Sequence, residues 1–297
     1  MTKIYEDDIE QMAVEELQKL GFEFIHGPDI EPTGNNPLRT YQDVLINEYV
    51  MDSIARLNPT LTEAQCAEVF RAITQIYSTS LISDNKAFHR LLTEGINLEV
   101  HQNGETKGLL ASLIDFDQPL NNKFYVVNQV TIRQDRHERR PDLILYINGL
   151  PLVVIELKNP ASETATMETA YKQIQTYQSE ITNLFTYNAF NIISDGLEAK
   201  AGTISADLSR YMAWKTSNGL YQATSTQPQL NVMIEGMLNP VTLLDLIRHF
   251  IVFEEMASTD QAGIKTIKTV KKLAAYHQYY AVNAAVLSTI RAADVNA

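Results

Sequence analysis

The sequence has one cysteine, few basic residues and no long apolar segment. Cys66 alone excludes an intrachain disulfide and suits a reducing cytoplasm. No run of eighteen apolar residues occurs and the acidic start lacks a signal-peptide core, so we expect no membrane span. The net charge of −12 argues against strong general affinity for nucleic acid. None of the twelve glycines precedes a lysine, which excludes a GxxxxGK(S/T) phosphate loop within these 297 residues.

Two acids nevertheless stand inside apolar segments, where an unpaired charge is costly to bury. Asp142 precedes the apolar run 143–147, and Glu156 follows the apolar run 151–155. Lys158 comes two residues after Glu156. Two carboxylates on adjacent strands can hold Mg²⁺ or Mn²⁺, and an ammonium beside them can orient water or stabilise charge on a phosphate. The alternative is a surface hairpin with scattered charges, which the apolar runs disfavour.

The turn between the two runs decides whether the acids share a face of the sheet. Asn148-Gly149 predicts a hairpin. A strict two-residue turn would place Asp142 opposite Ile155 and send the two acids to opposite faces. An odd loop, such as a type I turn with a glycine bulge, would pair Asp142 with Glu156. We prefer the odd loop because it separates polar from apolar side chains better.

Hydrophobic periodicity predicts an α/β protein. A polar, turn-rich segment at 215–230 marks a boundary. Thr62 is the predicted N-cap of a helix. Helices are predicted over 5–20, 41–57, 62–82, 164–184, 241–256 and 265–292, and strands over 22–25, 96–101, 123–133, 189–194 and both arms of the hairpin.

The hairpin and the helix after it carry a resemblance to a known nuclease superfamily. Pro141-Asp142, followed by Glu156-Leu157-Lys158, resembles the PD-(D/E)xK motif. Gln173 and Tyr177, four residues apart on one helix face, resemble the QxxxY motif of RecB-like members. The resemblance implies a restriction-endonuclease-like core, a central mixed sheet flanked by helices, with helical amino-terminal and carboxy-terminal extensions. It implies that Asp142, Glu156 and Lys158 are catalytic, and that both acids and the Leu157 carbonyl bind the metal.

Further segments, in order along nearly the whole chain, resemble the restriction (R) subunit of type I restriction-modification enzymes. In that family the last segment precedes the ATP-binding motif of a helicase-type motor, so the resemblance implies an amino-terminal fragment. It divides the chain into a mainly helical part (1–95), a nuclease core (96–215), and a linker with the helical start of a motor (216–297). The segments are Ile9-Glu10 with Leu17 and Gly21, His26–Ile30, Arg39 with Tyr41–Val44, Val127–Thr131, Ile193–Gly196 and Tyr276–Val282.

Some residues keep two interpretations. Glu10 could be the further helix carboxylate that many superfamily members direct at the metal, or a solvated acid beside Glu15 and Glu16. Arg139 and Arg140, in a basic stretch directly before Asp142, could contact phosphates or lie in a loop without a role.

Gln173 and Tyr177 could touch DNA or brace the catalytic strand, or Tyr177 could simply pack. Gln278 resembles an adenine-side element that only a full-length chain would use. The predicted helix 265–292 carries four lysines that could face phosphates or only solvent, and we prefer solvent exposure: Lys265, Lys268, Lys271 and Lys272.

The resemblance therefore predicts a cytoplasmic, Mg²⁺-dependent endonuclease module that cuts double-stranded DNA without sequence preference. Cleavage would follow ATP-driven translocation by the motor part, in a complex with methyltransferase (M) and specificity (S) subunits. The alternative is a docking domain of the same fold, with an idle metal site, that joins the motor to the methyltransferase-specificity core. The intact Asp142, Glu156 and Lys158 favour the nuclease, because docking requires none of them.

Overall fold

A computed structural model of the protein describes residues 6–102, 105–159, 166–259 and 265–293. Short 3₁₀ turns lie at Pro119–Asn121 and Leu208–Arg210. In chain order the elements are α1 (Glu6–Lys19), β1 (Glu23–His26), α2 (Gly27–Ile30), α3 (Asn47–Leu57), α4 (Glu63–Thr74), α5 (Leu81–Glu94), β2 (Ile96–Gln102), β3 (Glu105–Ala111), β4 (Phe124–Asn128), β5 (Ile132–Gln134), β6 (His137–Arg139), β7 (Leu143–Ile147), β8 (Leu150–Leu157), α6 (Met167–Glu180), α7 (Thr182–Thr186), β9 (Phe190–Ser194), β10 (Ala199–Gly202), α8 (Gln229–Met237), α9 (Pro240–His249), β11 (Ile251–Thr259), β12 (Lys265–Leu273) and α10 (Tyr276–Ala293).

A six-stranded mixed sheet, in the order β1-β4-β7-β8-β9-β10, forms the centre of the protein. The pairs β1–β4 and β8–β9 are parallel, and the other neighbours are antiparallel. Every residue of β7 and β8 is buried, which explains their continuous apolar runs. Helices α1 and α6 pack against the sheet. The predicted mixed sheet flanked by helices is confirmed.

The β7–β8 hairpin closes with a two-residue turn, so the predicted odd loop is wrong. Ile147 pairs with Leu150, and the φ angles of Asn148 and Gly149 are 54° and 81°. Two positive φ angles are the signature of a type I′ turn, whose twist matches that of the strands. A Cβ atom on Gly149 would also lie only 2.8 Å from the Ile46 carbonyl oxygen.

A β-bulge in β8 then restores the predicted pairing of the acids. Tyr146 pairs with Pro151 whereas Leu145 pairs with Val153, so Leu152 is an extra residue on one strand. The extra residue shifts the register by one position for the rest of the hairpin.

Beyond the bulge the register brings the two acids opposite each other. Leu143 pairs with Ile155, and the next position outward is Asp142 opposite Glu156. The convergence of the acids is therefore as predicted, although the extra residue lies in the strand and not in the turn.

The predicted helix 62–82 is two helices. Thr62 caps α4 as predicted, accepting a hydrogen bond from the Gln65 backbone N–H in a capping box. The helix ends at Thr74, and α5 begins at Leu81 behind a second cap, Ser80.

The carboxy-terminal part is helical at α8, α9 and α10 but contains a β-hairpin where helix was predicted. Strands β11 and β12 pair along their whole length. Thr266, Ile267, Thr269 and Val270 are β-branched, which favours strand over the helix suggested by the lysine spacing. Lys271 is 1% exposed, contrary to the predicted solvent exposure.

Lys268 and Lys272 are exposed, as predicted. Lys265 lies in β12, and the exposure predicted for its side chain falls outside the described part of the structure. Among the described helices, none taken singly has the length and apolar character needed to cross a membrane.

Candidate active site

Glu156 and Lys158 lie where β8 leaves the sheet. Glu156 is fully buried. The Lys158 backbone N–H donates to the Ser194 carbonyl oxygen at 2.8 Å, so β9 still holds the chain at this point. The Lys158 ammonium donates to Glu156 Oε1 at 2.5 Å and to the Leu157 carbonyl oxygen at 2.8 Å. The Glu156 carboxylate, the Leu157 carbonyl and the Lys158 ammonium therefore lie together at the end of β8.

Asp142 is held from two sides. Its Oδ2 accepts the Leu157 backbone N–H at 2.7 Å. Its backbone carbonyl accepts the Gln129 backbone N–H at 3.0 Å. The structure therefore brings together all four predicted residues, Asp142, Glu156, Leu157 and Lys158.

The carboxylates of Asp142 and Glu156 are shielded from solvent. Burial and the neighbouring Asp142 raise the pKa of Glu156 to about 8, against the pull of Lys158. Burial raises the pKa of Asp142 to about 6, although the Leu157 N–H lowers it. Burial alone would lower the pKa of Lys158, but the charge and hydrogen bond of Glu156, together with the charges of Asp142 and Glu6, outweigh burial and raise it. One ammonium does not fully offset the cost of the two carboxylates, so the site favours additional positive charge.

The donor set of the site fits a hard divalent cation. Glu156 Oε2 is buried without a hydrogen-bond partner. The Lys158 ammonium, itself a cation, is bound by Glu156 Oε1 and the Leu157 carbonyl oxygen. Nowhere in the described ranges do three or more His, Cys, Asp or Glu side chains form a metal-binding group. Two carboxylates and a carbonyl suit Mg²⁺, which keeps several waters when bound.

Glu10 is the acid of α1 that faces the sheet. Its carboxylate accepts hydrogen bonds from the side-chain amides of Asn128 at 2.7 Å and Gln129 at 2.5 Å. Glu15 and Glu16 instead bond to neighbours on α1 itself. Of the three acids, Glu10 alone is placed for the predicted supporting role.

Glu6 is a neighbour of the site that sequence reasoning missed. Its Oε1 lies 3.7 Å from the Lys158 ammonium nitrogen. The charges of Glu6 and Glu10 both raise the pKa of Asp142. Their four-residue spacing, which puts both on one face of α1, was the available signal.

Gln173 and Tyr177 stand behind the carboxylates. The Gln173 amide donates to the Tyr177 hydroxyl at 2.6 Å, and that hydroxyl donates to the Arg140 carbonyl at 3.5 Å. Tyr177 is 2% exposed, and its hydroxyl lies close enough to Glu156 to lower the pKa of that carboxyl, although it is not within hydrogen-bonding distance of Glu156 Oε2. Burial and Glu156 together raise the pKa of Tyr177. These contacts favour a bracing role over direct DNA contact.

The basic stretch forms the small β5–β6 hairpin, and its arginines differ. Arg139 pairs with Glu180 on α6, and Arg133 pairs with Glu138 at 2.5 Å. Arg140 is exposed and, among the described residues, makes no ion pair. Of the two arginines predicted to meet phosphates, Arg140 is the one that is free to do so.

Gln278 lies in the first turn of α10, far along the chain from the carboxylates. Its Oε1 accepts the Ala275 backbone N–H at 2.9 Å and so caps the helix. The adenine contact predicted for a full-length chain stays a prediction.

The sequence family described as "Type I restriction enzyme R protein N terminus" matches residues 3–210. The chain belongs to this family. The resemblance to the R subunit, drawn from segments along nearly the whole chain, is thereby confirmed.

Longer proteins are similar to this chain over almost its whole length. The type I restriction enzyme HindI endonuclease subunit of Haemophilus influenzae is 40% identical over 289 residues, 96% of this chain and 27% of that protein. The putative type I restriction enzyme MjaIXP endonuclease subunit of Methanocaldococcus jannaschii is 31% identical over 97% of this chain and 28% of its own length. The chain therefore spans about a quarter of the length of these relatives.

Proposed function

We propose that this chain is the endonuclease module of a type I restriction enzyme R subunit and hydrolyses DNA phosphodiester bonds with Mg²⁺ or Mn²⁺. The observation that carries the proposal is the buried Glu156, opposite Asp142, with one oxygen bound to Lys158 and the other without a partner. A structural hairpin has no need of such a group, because an unpartnered buried carboxylate oxygen destabilises the fold.

Asp142, Glu156 and the Leu157 carbonyl would hold the divalent ion. When bound, the ion would polarise a phosphoryl oxygen and make water a stronger nucleophile near neutral pH. The Leu157 backbone N–H fixes the Asp142 carboxylate, so this ligand needs little reorganisation.

Lys158 supplies the positive charge that the chain itself brings to the reaction. Its ammonium lies among the metal-binding oxygens and, on its flexible side chain, reaches a phosphate or a water beside them. Gln173 and Tyr177 would keep the site in shape from behind, and Arg140, with Arg139 at its side, would meet the DNA backbone.

The proposal extends to a multisubunit assembly, because the relatives are named as endonuclease subunits of type I restriction enzymes. In it the module would act on double-stranded DNA beside M and S subunits in the cytoplasm. Cleavage would be independent of sequence and follow ATP-driven translocation by the motor part of the R subunit. With a net charge of −12, the isolated chain should cleave weakly, since its own attraction for phosphates is small.

A plasmid nicking assay with and without Mg²⁺, combined with Mn²⁺ titration by calorimetry, tests the proposal. Asp142→Asn and Glu156→Gln are near-isosteric and should abolish Mn²⁺ binding and nicking while the fold survives. Lys158→Ala should stop nicking but leave Mn²⁺ binding nearly intact, because the ammonium is no ligand.

The docking alternative predicts a different pattern. A wild-type chain that binds no Mn²⁺ and never nicks DNA, even with M and S subunits present, would contradict the nuclease proposal. Nicking by Lys158→Ala at the wild-type rate would remove that lysine from the mechanism.

A further inference from the structure

Two adjacent amide residues at the end of β4 connect α1 to the candidate active site. Asn128 Nδ2 donates to Glu10 Oε1 at 2.7 Å, and Gln129 Nε2 donates to Glu10 Oε2 at 2.5 Å. Each carboxylate oxygen of Glu10 thus has its own donor. A single salt bridge on a long side chain would leave the carboxylate freer to rotate.

Asn128 is itself fixed on the side away from Glu10. Its Oδ1 accepts the Gly27 backbone N–H at 3.3 Å and lies 3.1 Å from His26 Nδ1. Because a backbone N–H can only donate, the amide oxygen must face Gly27 and the NH₂ group must face Glu10. A Cβ atom on Gly27 would lie 2.1 Å from the Asn128 carbonyl oxygen, so only glycine permits this approach.

Gln129 has an unusual backbone that aims two donors at the site. Its φ of 53° is in the left-handed region that non-glycine residues seldom adopt. In this conformation its backbone N–H donates to the Asp142 carbonyl at 3.0 Å while its side-chain amide donates to Glu10. One residue thereby fixes the relative positions of Asp142 and Glu10.

We propose that Asn128 and Gln129 are positioning residues that hold the Glu10 carboxylate on the Asp142 side of the site, where it would act on the divalent cation through bound water and not as a third direct carboxylate ligand. This inference rests on the proposed metal-dependent nuclease. Neutral amide donors suit the task because they orient the carboxylate and leave its negative charge in place. Each oxygen keeps a lone pair for a water bound to the cation. The competing explanation is that the amides only fasten α1 to the sheet.

The experiment measures Mn²⁺ affinity by calorimetry and unfolding by urea, both on the whole chain. Gln129→Gly removes the amide donor and suits the positive φ, and Gln129→Met keeps the side-chain length without the donor. Glu10→Gln removes the charge that the amides hold. Glu15→Gln, on the same helix but bonded only to Gln11, is the matched control.

We expect Glu10→Gln and either Gln129 variant to weaken Mn²⁺ binding about tenfold or more, the usual effect of residues that orient ligands. Glu15→Gln should bind as the wild type does. The double variant Glu10→Gln with Gln129→Gly should bind no more weakly than Glu10→Gln alone, because both changes remove one interaction. If the amides only fasten α1, urea stability falls in the Gln129 variants while Mn²⁺ affinity is unchanged.

The outcomes separate this inference from the proposed function. A wild-type chain that binds no Mn²⁺ overturns both. Wild-type binding that Asp142→Asn abolishes, but that Glu10→Gln and both Gln129 variants leave intact, overturns the positioning role alone.

Discussion

At the scale of single residues, His89 is a buried base whose surroundings disfavour its charged form. It is 8% exposed, and its ring centroid lies 5.4 Å from that of Phe253. Burial, assisted by the nearby Lys271, lowers the pKa of His89 to about 3. The folded chain therefore keeps this imidazole neutral across a range in which the unfolded chain protonates it.

The stability of the chain should consequently fall in mild acid. Between pH 6.5 and about 3, His89 binds a proton in the unfolded state but not in the folded state. The contribution of His89 to the free energy of unfolding is therefore fully present above pH 6.5 and is lost as the pH falls. From pH 7.5 to 5 the loss due to His89 is about 2 kcal/mol. His89→Gln should remove that share when urea unfolding is measured at both pH values. Equal losses in the wild type and the variant would contradict the assignment.

Two tyrosines on α6 allow a matched comparison of the helix faces. The Tyr177 hydroxyl stands by Glu156, whereas the Tyr171 hydroxyl donates to the Ala206 carbonyl at 3.2 Å. Tyr177→Phe should slow Mg²⁺-dependent nicking about tenfold, as loss of a supporting hydrogen bond commonly does. Tyr171→Phe should leave the nicking rate unchanged. If the two variants nick equally fast, Tyr177 only packs.

At the scale of elements, the bulge at Leu152 sets the alignment of the two acids. Deletion of Leu152 should remove the bulge and keep Asp142 opposite Glu156, because Tyr146–Pro151 and Leu145–Val153 then become consecutive pairs. An alanine inserted after Leu152 should instead move Glu156 one position along the strand and onto the opposite face, because side chains alternate along a strand. Calorimetry should therefore find Mn²⁺ binding in the deletion variant and none in the insertion variant, with the fold of both checked by circular dichroism. Loss of Mn²⁺ binding in a folded deletion variant would contradict this account of the register.

The bulge also shows where sequence reasoning reached its limit. The acids and the apolar runs beside them predicted the strands and the convergence of Asp142 with Glu156. The position of the extra residue was not predictable, because β7 and β8 are buried on both faces and Leu152 is apolar in either register.

The β11–β12 hairpin was missed for a related reason. Lysines three or four residues apart resemble one face of a helix, whereas the β-branched residues between them favour a strand. Glu6 was missed because no motif includes it, and only the packing of α1 on the sheet brings it near Lys158.

At the scale of the whole molecule, a buried cluster of polar groups connects the β11–β12 hairpin to the core beside the six-stranded sheet, and we call it the polar joint. The Lys271 ammonium donates to Asn85 Oδ1 at 2.8 Å and to the Asn188 carbonyl at 2.7 Å. The Asn85 amide in turn donates to the carbonyls of Phe185, Thr186 and Asn188. Burial lowers the pKa of Lys271 well below its usual value. The joint connects α5, the turn before β9, and β12.

Removal of the Asn85 side-chain amide should lower the free energy of unfolding more than removal of the Lys271 amine. Asn85→Ala removes one acceptor of the buried Lys271 ammonium and the amide donor shared by three carbonyls, so we expect a loss of about 3 kcal/mol or more in urea unfolding. Lys271→Met removes the desolvated ammonium together with its bonds and should cost less than half as much. The reverse order would show that the lysine and not the asparagine holds the joint.

The same joint has a consequence for the order in which the chain matures on the ribosome. Asn85 and Lys271 are 186 residues apart in the sequence. At roughly 5–20 residues per second of synthesis, Asn85 waits on the order of ten to forty seconds before its lysine exists. Before this interval ends, every residue of the candidate active site has been translated. The core beside β9 still lacks Lys271, which contacts Asn85 and Asn188 there. Completion of this core therefore depends on residues that are translated long after those of the candidate active site.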